Sequence, residues 1–349
     1  MLLHVVHVTR YRYAPWVDNA HHAVHLKPAS TARQTLLRHS LQISPTPAQQ
    51  REIMDVYGNS RSFFSLQTSH GVLRVVANSV VSTSCAGQGC SKAEKSAVTA
   101  PPAMPWERVR EQFRYRAGAA YNAAWEFVFA SPYVPRDDAF TQFAQPSFTP
   151  GRPLSEAAHD LMERIYSTMV YESDSTEVNT PALAALKQGK GVCQDFAHIM
   201  VACCRAMGLP ARYVSGYMLT QPPPGQPRLI GCDASHAWAS VYCPAEDGKG
   251  NGNGNGNGNG NGNGNGSDDA GQWLDFDPTN NRAPGEDYVT LAMGRDFLDV
   301  SPLRGVIRGG SRHILQVAVT VAPIESLEFL DCLESPGGHG APTAAESLA

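Results

Sequence analysis

Short apolar runs rich in β-branched and aromatic residues dominate the first 85 positions of the chain and read as strands. His4 to Tyr13, Ala23 to Leu26, Leu36 to Ile43, Ser62 to Leu66 and Val72 to Val81 are the candidates, and Asp55-Val-Tyr-Gly58-Asn59 marks a turn between two of them. An antiparallel β-domain over residues 1–85 accommodates them. Residues 86–105, with Ser, Gly and Lys and then Pro101-Pro102, read as a linker. The pattern then changes period. Trp106 to about Tyr121 favours helix, and over Leu154 to Met169 apolar Leu161, Met162, Ile165 and Met169 recur at helical spacing behind Pro153. Between these helices, Phe127 to Pro150 is broken by Pro132, Pro135, Pro146 and Pro150 and is expected to be an irregular surface connection. Residues 106–170 thus form a helical connection between the β-domain and the second half of the chain.

The strongest local pattern lies in 181–209. A helix over Pro181 to Lys187 ends in the Gly189-Lys190-Gly191 turn, and a second runs from Cys193 to Met207, closed by Gly208 and Pro210. Phe196, Met200, Cys203, Cys204 and Met207 fall on one stripe of it, which predicts a buried helix. Strands come next, over Arg212 to Leu219, Ala237 to Cys243 and Gln272 to Phe276. Between the last two lies Asn-Gly repeated over 251–266, which has nothing to bury and is expected to be a disordered insert. This makes 171–300 the core and 301–349 a C-terminal strand and tail.

Composition narrows the functional classes. A chain of 349 residues, 42% hydrophobic, has ample material for a core, and a formal net charge of -4 without a basic run gives no reason to expect nucleic acid or an anionic membrane as partner. The start of the chain lacks the apolar stretch of a signal peptide, and no segment has the length of a membrane span, so the cytoplasm is the expected compartment. Its eight cysteines are then expected to be reduced. Cys85 and Cys90 lack paired Cys-x-x-Cys spacing and sit in a Ser/Gly-rich stretch, so neither a metal nor another cofactor is expected.

Three residues carry candidate chemistry. Cys193 follows a glycine turn and opens a buried helix, where free backbone N–H groups and the helix dipole favour a thiolate. His236 stands at the mouth of a strand, where an imidazole can reach a thiol and protonate a leaving group. Asp277 precedes Pro278 at the end of another strand and can fix the imidazole tautomer. Each has a plainer alternative: a small buried hydrophobe, an ordinary strand-end histidine, a turn-initiating aspartate. Asp195 is expected to hold the helix start or an adjacent loop by hydrogen bonds. Tyr171 is a candidate donor to an oxyanion, against a packing role.

Gly191-Val-Cys193-Gln-Asp195-Phe-Ala197, Ser235-His236-Ala237-Trp238 and Trp273-Leu-Asp-Phe-Asp277-Pro-Thr279-Asn280 resemble the three core motifs of the bacterial transglutaminase-like superfamily, in the order Cys, His, Asp. Thr9-Arg-Tyr-Arg-Tyr13, Leu26-Lys-Pro28 and Asp55-Val-Tyr-Gly-Asn59 resemble the β-rich region that precedes that core in many bacterial members. The resemblance spans residues 1–300. It implies an α+β protein whose papain-like core packs a helix bearing the Cys on an antiparallel sheet, with Cys193, His236 and Asp277 as catalytic residues. One departure is the long separation of His236 and Asp277, for which the Asn-Gly insert accounts. The implied activity is acyl transfer on amide bonds of a peptide or protein through a Cys thioester. Water as second substrate makes it a peptidase or amidase, a second amine a transferase. The alternative is a catalytically idle scaffold that binds peptides.

Overall fold

The computed structural model describes residues 1–84, 104–118, 121–220, 235–244 and 271–325. The linker up to residue 103, Cys85 and Cys90, and the Asn-Gly repeat all lie outside the described residues, as does the chain beyond 325. Five strands open the fold: β1 (Leu2–Val24), β2 (Gln34–Ser44), β3 (Gln49–Met54), β4 (Ser60–Leu66) and β5 (His70–Thr83), in sheet order β2-β5-β1-β4-β3. His4 to Tyr13 and Ala23 to Leu26, expected as separate strands, belong largely to the single long β1, and β3, rich in Gln and Glu, was not expected at all. The length of β1 lets its first half sit between β5 and one later strand and its second half between β4 and another.

Those later strands are β12 (Leu303–Gly309) and β13 (Arg312–Pro323), both antiparallel to β1. The β-domain is therefore completed by the end of the described chain, where one strand and a tail were expected. Leu3 and Val5 of β1, Val81 of β5, and Val319 and Val321 of β13 are buried together with Tyr213, Tyr217, Val289 and Leu291 from the second half of the molecule. Tyr217 Oη and His7 Nδ1 hydrogen-bond across this junction at 2.9 Å, and His7 Nε2 reaches Thr9 Oγ1 at 2.9 Å. A buried polar chain satisfied at each member ties the two sheets in one register.

The second half contains α1 (Trp106–Gln112), α2 (Asp138–Ala144), α3 (Leu154–Thr168), β6 (Val170–Tyr171), α4 (Ala182–Gln188), β7 (Lys190–Gly191), α5 (Cys193–Ala206), β8 (Ala211–Met218), β9 (Ser235–Pro244), β10 (Gly271–Phe276), β11 (Tyr288–Gly294) and α6 (Phe297–Val300). Strands β10-β9-β8-β11 form an antiparallel sheet on which α5 packs, with Ala197 buried against Tyr213, Tyr217 and Ala237 of the sheet and Phe196, Ile199, Met200 and Cys203 fully or nearly buried in the core. Each such side chain contributes on the order of 1.5–3 kcal/mol through burial. The C-terminal end of α5 is fixed by Arg205, whose guanidinium donates to the carbonyls of Phe129, Ala211 and Arg295 and to Ser131 Oγ.

Two expectations are corrected here. α1 stops at Gln112 instead of running towards Tyr121: Trp106, Val109 and Phe113 are buried, residues 114–118 beyond them are all exposed, and Gly118 turns the chain at φ 79°. Phe127 to Pro150 is not an irregular surface connection: it contains α2, capped by Asp137 Oδ1 on the Ala139 N–H at 2.9 Å, with Phe140 and Ala144 fully buried in the core. Pro135 and Pro146 bracket that helix without interrupting it. Among the described residues no helix is long and apolar enough to cross a membrane.

Candidate active site

The local sequence dictates where Cys193 points. Gly189 ends α4 in the left-handed region at φ 67°, β7 pairs in parallel with β6, and Val192 is extended, so α5 begins at Cys193. Asp195, two residues on, folds back: its Oδ2 accepts the Val192 N–H at 2.9 Å and the Thr176 hydroxyl at 2.6 Å. Its side chain is buried, and burial pushes its pKa above the usual carboxylate range despite those donors. A Cβ on Gly191 would stand 2.6 Å from Asp195 Oδ2, so the glycine is required by the returning carboxylate. Gln194 Nε2 donates to the Val178 carbonyl at 2.9 Å. Asp195 and Gln194 together hold the 172–180 loop to the helix start, where the Cys193 side chain stays partly exposed.

His236 is the second residue of β9, opposite Gly216 of β8, and Asp277 is the first residue after β10. Because β9 and β10 pair antiparallel with Phe276 opposite Ala239, the strand ends bring the two side chains together. His236 Nε2 and Asp277 Oδ2 are 2.7 Å apart, with the imidazole 6% exposed and the carboxylate 0%. Oδ1 of Asp277 accepts the backbone N–H groups of Thr279 and Asn280 at 2.9 and 3.3 Å, while Oδ2 also accepts Asn280 Nδ2 and the Tyr288 hydroxyl, each at 2.7 Å. Burial disfavours the carboxylate, but the bond to His236 and these donors hold Asp277 below the usual range.

With Nε2 engaged by Asp277, Nδ1 is the nitrogen left to face the thiol. Cys193 Sγ lies 4.0 Å from the carbonyl oxygen of Ser235, the residue before His236. Burial lowers the basicity of His236, yet hydrogen bonds to Asp277 and Cys193 and their charges outweigh it and push the imidazole up to about 9. Trp238, fully buried, lies 6.3 Å from the His236 ring and stacks edge-on with Tyr288 at 5.4 Å, keeping water from the His–Asp bond. A Cβ on Gly216 would meet the Trp238 ring at 2.5 Å, so this seal also depends on a glycine.

Comparison with known proteins bears on the family and the fold. Residues 3–82 match the bacterial transglutaminase-like N-terminal region, and residues 141–278, which include Cys193, His236 and Asp277, match the transglutaminase-like superfamily. An uncharacterized protein of Mycobacterium tuberculosis is 38% identical over 322 residues, covering 92% of each chain. Another from Mycobacterium leprae is 27% identical over 325 residues, covering 91% of this chain and 98% of its own. The chain belongs to the transglutaminase-like superfamily. The crystal structure of a "putative cysteine protease" from Cytophaga hutchinsonii shares its fold, with a TM-score of 0.64 at 19% identity over 93% of this chain and 91% of that one. The two chains thus share a fold over most of their length.

Other residues fall into place around this centre. Tyr171, half-exposed on β6, stands near enough to Cys193 that the thiol's charge adds to burial in raising the phenol. His198, one turn further along α5, is fully buried, accepts the Phe297 N–H at 3.1 Å and is pushed down to about 3 by burial, which keeps it neutral. Cys203, Cys204 and Cys243 are buried and unpaired. Among the described residues no cluster of three His, Cys, Asp or Glu side chains is arranged to hold a metal ion. Sequence reasoning missed Tyr288, because a lone tyrosine after a Gly-Glu-Asp turn carries no motif; only the strand order brings it to Asp277.

Proposed function

We propose that the protein cleaves amide bonds of peptides or proteins through a thioester on Cys193. The single observation that carries this reading is the buried 2.7 Å bond from His236 Nε2 to Asp277, which turns the opposite edge of the imidazole to the thiol at the start of α5. In the first step the Cys193 sulfur attacks the carbonyl carbon, the C–N bond breaks, and His236 gives its proton to the departing amine. In the second, water or another amine attacks the thioester, His236 takes the incoming proton and the sulfur leaves. Asp277 stays ionised throughout and stabilises the imidazolium. The N–H of Cys193 at the helix start is placed to donate to the carbonyl oxygen as it gains charge, and the half-exposed Tyr171 is the candidate for a second donor.

The test is trapping. A library of peptides bearing backbone and side-chain amides is incubated with the protein and hydroxylamine, and hydroxamates and the Cys193 adduct are followed by mass spectrometry. Cys193→Ala and His236→Ala are expected to abolish hydroxamate formation while remaining folded, and Asp277→Asn to lower it by about 10³–10⁴. The ratio of acid to amide product without hydroxylamine assigns hydrolysis or transfer. Undiminished product with Cys193→Ala would refute the reading; absence of any adduct with wild type would favour the idle scaffold.

A further inference from the structure

Three donors converge on Asp277 Oδ2: His236 Nε2, Asn280 Nδ2 and the Tyr288 hydroxyl, each at 2.7 Å. Two of them come from the chain segment around Asp277 or from its neighbouring strand. The third comes from the far edge of the sheet, since β11 is separated from β10 by β8 and β9. Tyr288 is 4% exposed, its ring lies edge-on to Trp238 and 5.9 Å from the His236 ring, and its only polar atom ends on the oxygen that holds the imidazole. The guanidinium of Arg282 sits 4.7 Å over the Tyr288 ring and pairs with Asp287 at 2.6 Å. A cation over the ring draws electron density from the phenol and makes its hydroxyl a better donor. Burial and the adjacent Asp277 both push the Tyr288 phenol up, so it remains protonated and donating.

An oxygen that accepts three hydrogen bonds shares its charge among them, and each donor reduces what is left for the others. We infer that Tyr288 is a positioning residue of this site: its hydroxyl fixes the Asp277 carboxylate against His236 and tempers that oxygen's hold on the imidazolium, so that the proton can be delivered to a leaving amine. The inference rests on the proposed acyl transfer. An imidazolium held too tightly is a poor general acid, and one held by a rotating carboxylate is poorly aimed. The charged and titratable groups around His236 are Cys193 at the start of α5, Asp277 after β10 and Tyr288 on β11, with Arg282 and Asp287 behind Tyr288. Arg282 and Asp287 act on the Asp277 carboxylate through that hydroxyl.

Tyr288→Phe removes that hydroxyl and keeps the ring on Trp238 and under Arg282. The readout is the titration of the His236 imidazole by NMR in the full chain without substrate. With one donor gone, Oδ2 holds the imidazolium more strongly, and the titration is expected to move up by about 0.5–1 pH unit. A role in packing alone lowers the melting temperature and leaves the titration in place; that result in a folded variant overturns the inference. If Tyr288→Phe does not fold, 3-fluorotyrosine at position 288 keeps ring and hydroxyl and strengthens the donor, and the titration is expected to move down. No movement, or movement upward, overturns the inference. Because the titration needs no turnover, its outcome is independent of whether Cys193→Ala retains activity, which is the result that would refute the acyl-transfer reading.

Discussion

The His236–Asp277 pair makes stability depend on pH in a window of its own. His236 is raised to about 9 from an ordinary 6.5: burial opposes the charge, and the bonds to Asp277 and Cys193 more than offset it. A raised folded value means that the folded protein holds this proton more tightly than the unfolded chain. Its stabilising effect is therefore full below pH 6.5 and is lost as pH rises through 9. The gap, at about 1.4 kcal/mol per pH unit, sets a ceiling of about 3 kcal/mol. Cys193 contributes to the His236 shift, so the cleaner comparison uses Cys193→Ala, which leaves only the contribution of Asp277, between about 1 and 3 kcal/mol. Urea unfolding of Cys193→Ala and of Cys193→Ala/His236→Gln at pH 6.5 and 9.5 isolates it, since titrations common to both proteins cancel in the difference. The histidines that burial lowers do not interfere: His7, His22 and His39 fall to about 4 and His198 to about 3, so their effect lies below pH 6.5. The stability advantage of the single variant should shrink by that amount between the two pH values. An advantage of equal size at both would mean that Asp277 does not hold an imidazolium, and the charge assignment of the site would fail.

Two further outcomes are set by the frame around the site. Gly191→Ala forces a Cβ to 2.6 Å from the Asp195 carboxylate and breaks its bond to the Val192 N–H, so urea unfolding should show a loss of about 2 kcal/mol, whereas Gly189→Ala, with nothing within 4 Å of its Cβ and only the φ of 67° to strain it, should lose about 1 kcal/mol. Replacing residues 249–268 by a Gly-Asn turn should leave hydroxamate formation within about threefold and raise the melting temperature slightly, because Pro244 and Gly271 are paired by the sheet and closure entropy grows only by about 0.6 kcal/mol per doubling of length.

Legible and hidden features of the chain divide along a physical line. The helix of Cys193 and the strands of His236 and Asp277 were legible because each is specified locally: a left-handed glycine, an extended Val192, a run of buried residues at one period. The limits of β8, β9 and β10 were read to within about two residues for the same reason. α2 was hidden because its prolines lie at its borders, and proline content alone does not tell a broken helix from a bracketed one. The unity of β1 was hidden by Pro15, which lies where its pairing to β5 lapses between Arg12 and Val17. The return of β12 and β13 to β1 is a long-range pairing with no local mark.

Tyr288 belongs to the hidden class, and so shows what kind of information completes the site. Three side chains at strand and helix ends suffice to suggest acyl transfer, but the donors that set the charge on Asp277 include one from β11, which reaches it only by pairing with β8. That pairing is held from outside the core. Gln34 of the N-terminal sheet donates through Nε2 to the Thr290 carbonyl and accepts the Thr290 N–H through Oε1, filling the irregularity in β11 between Thr290 and Ala292. Asn59 makes the same two-way contact with the backbone of Met293. The N-terminal sheet thus fixes the register of the strand that carries Tyr288, and through Tyr288 the carboxylate that orients His236. Its attachment to the core is in this sense part of the site: a region that reads in the sequence as a separate β-domain supplies the backbone hydrogen bonds on which the charge balance of the Cys–His–Asp group rests.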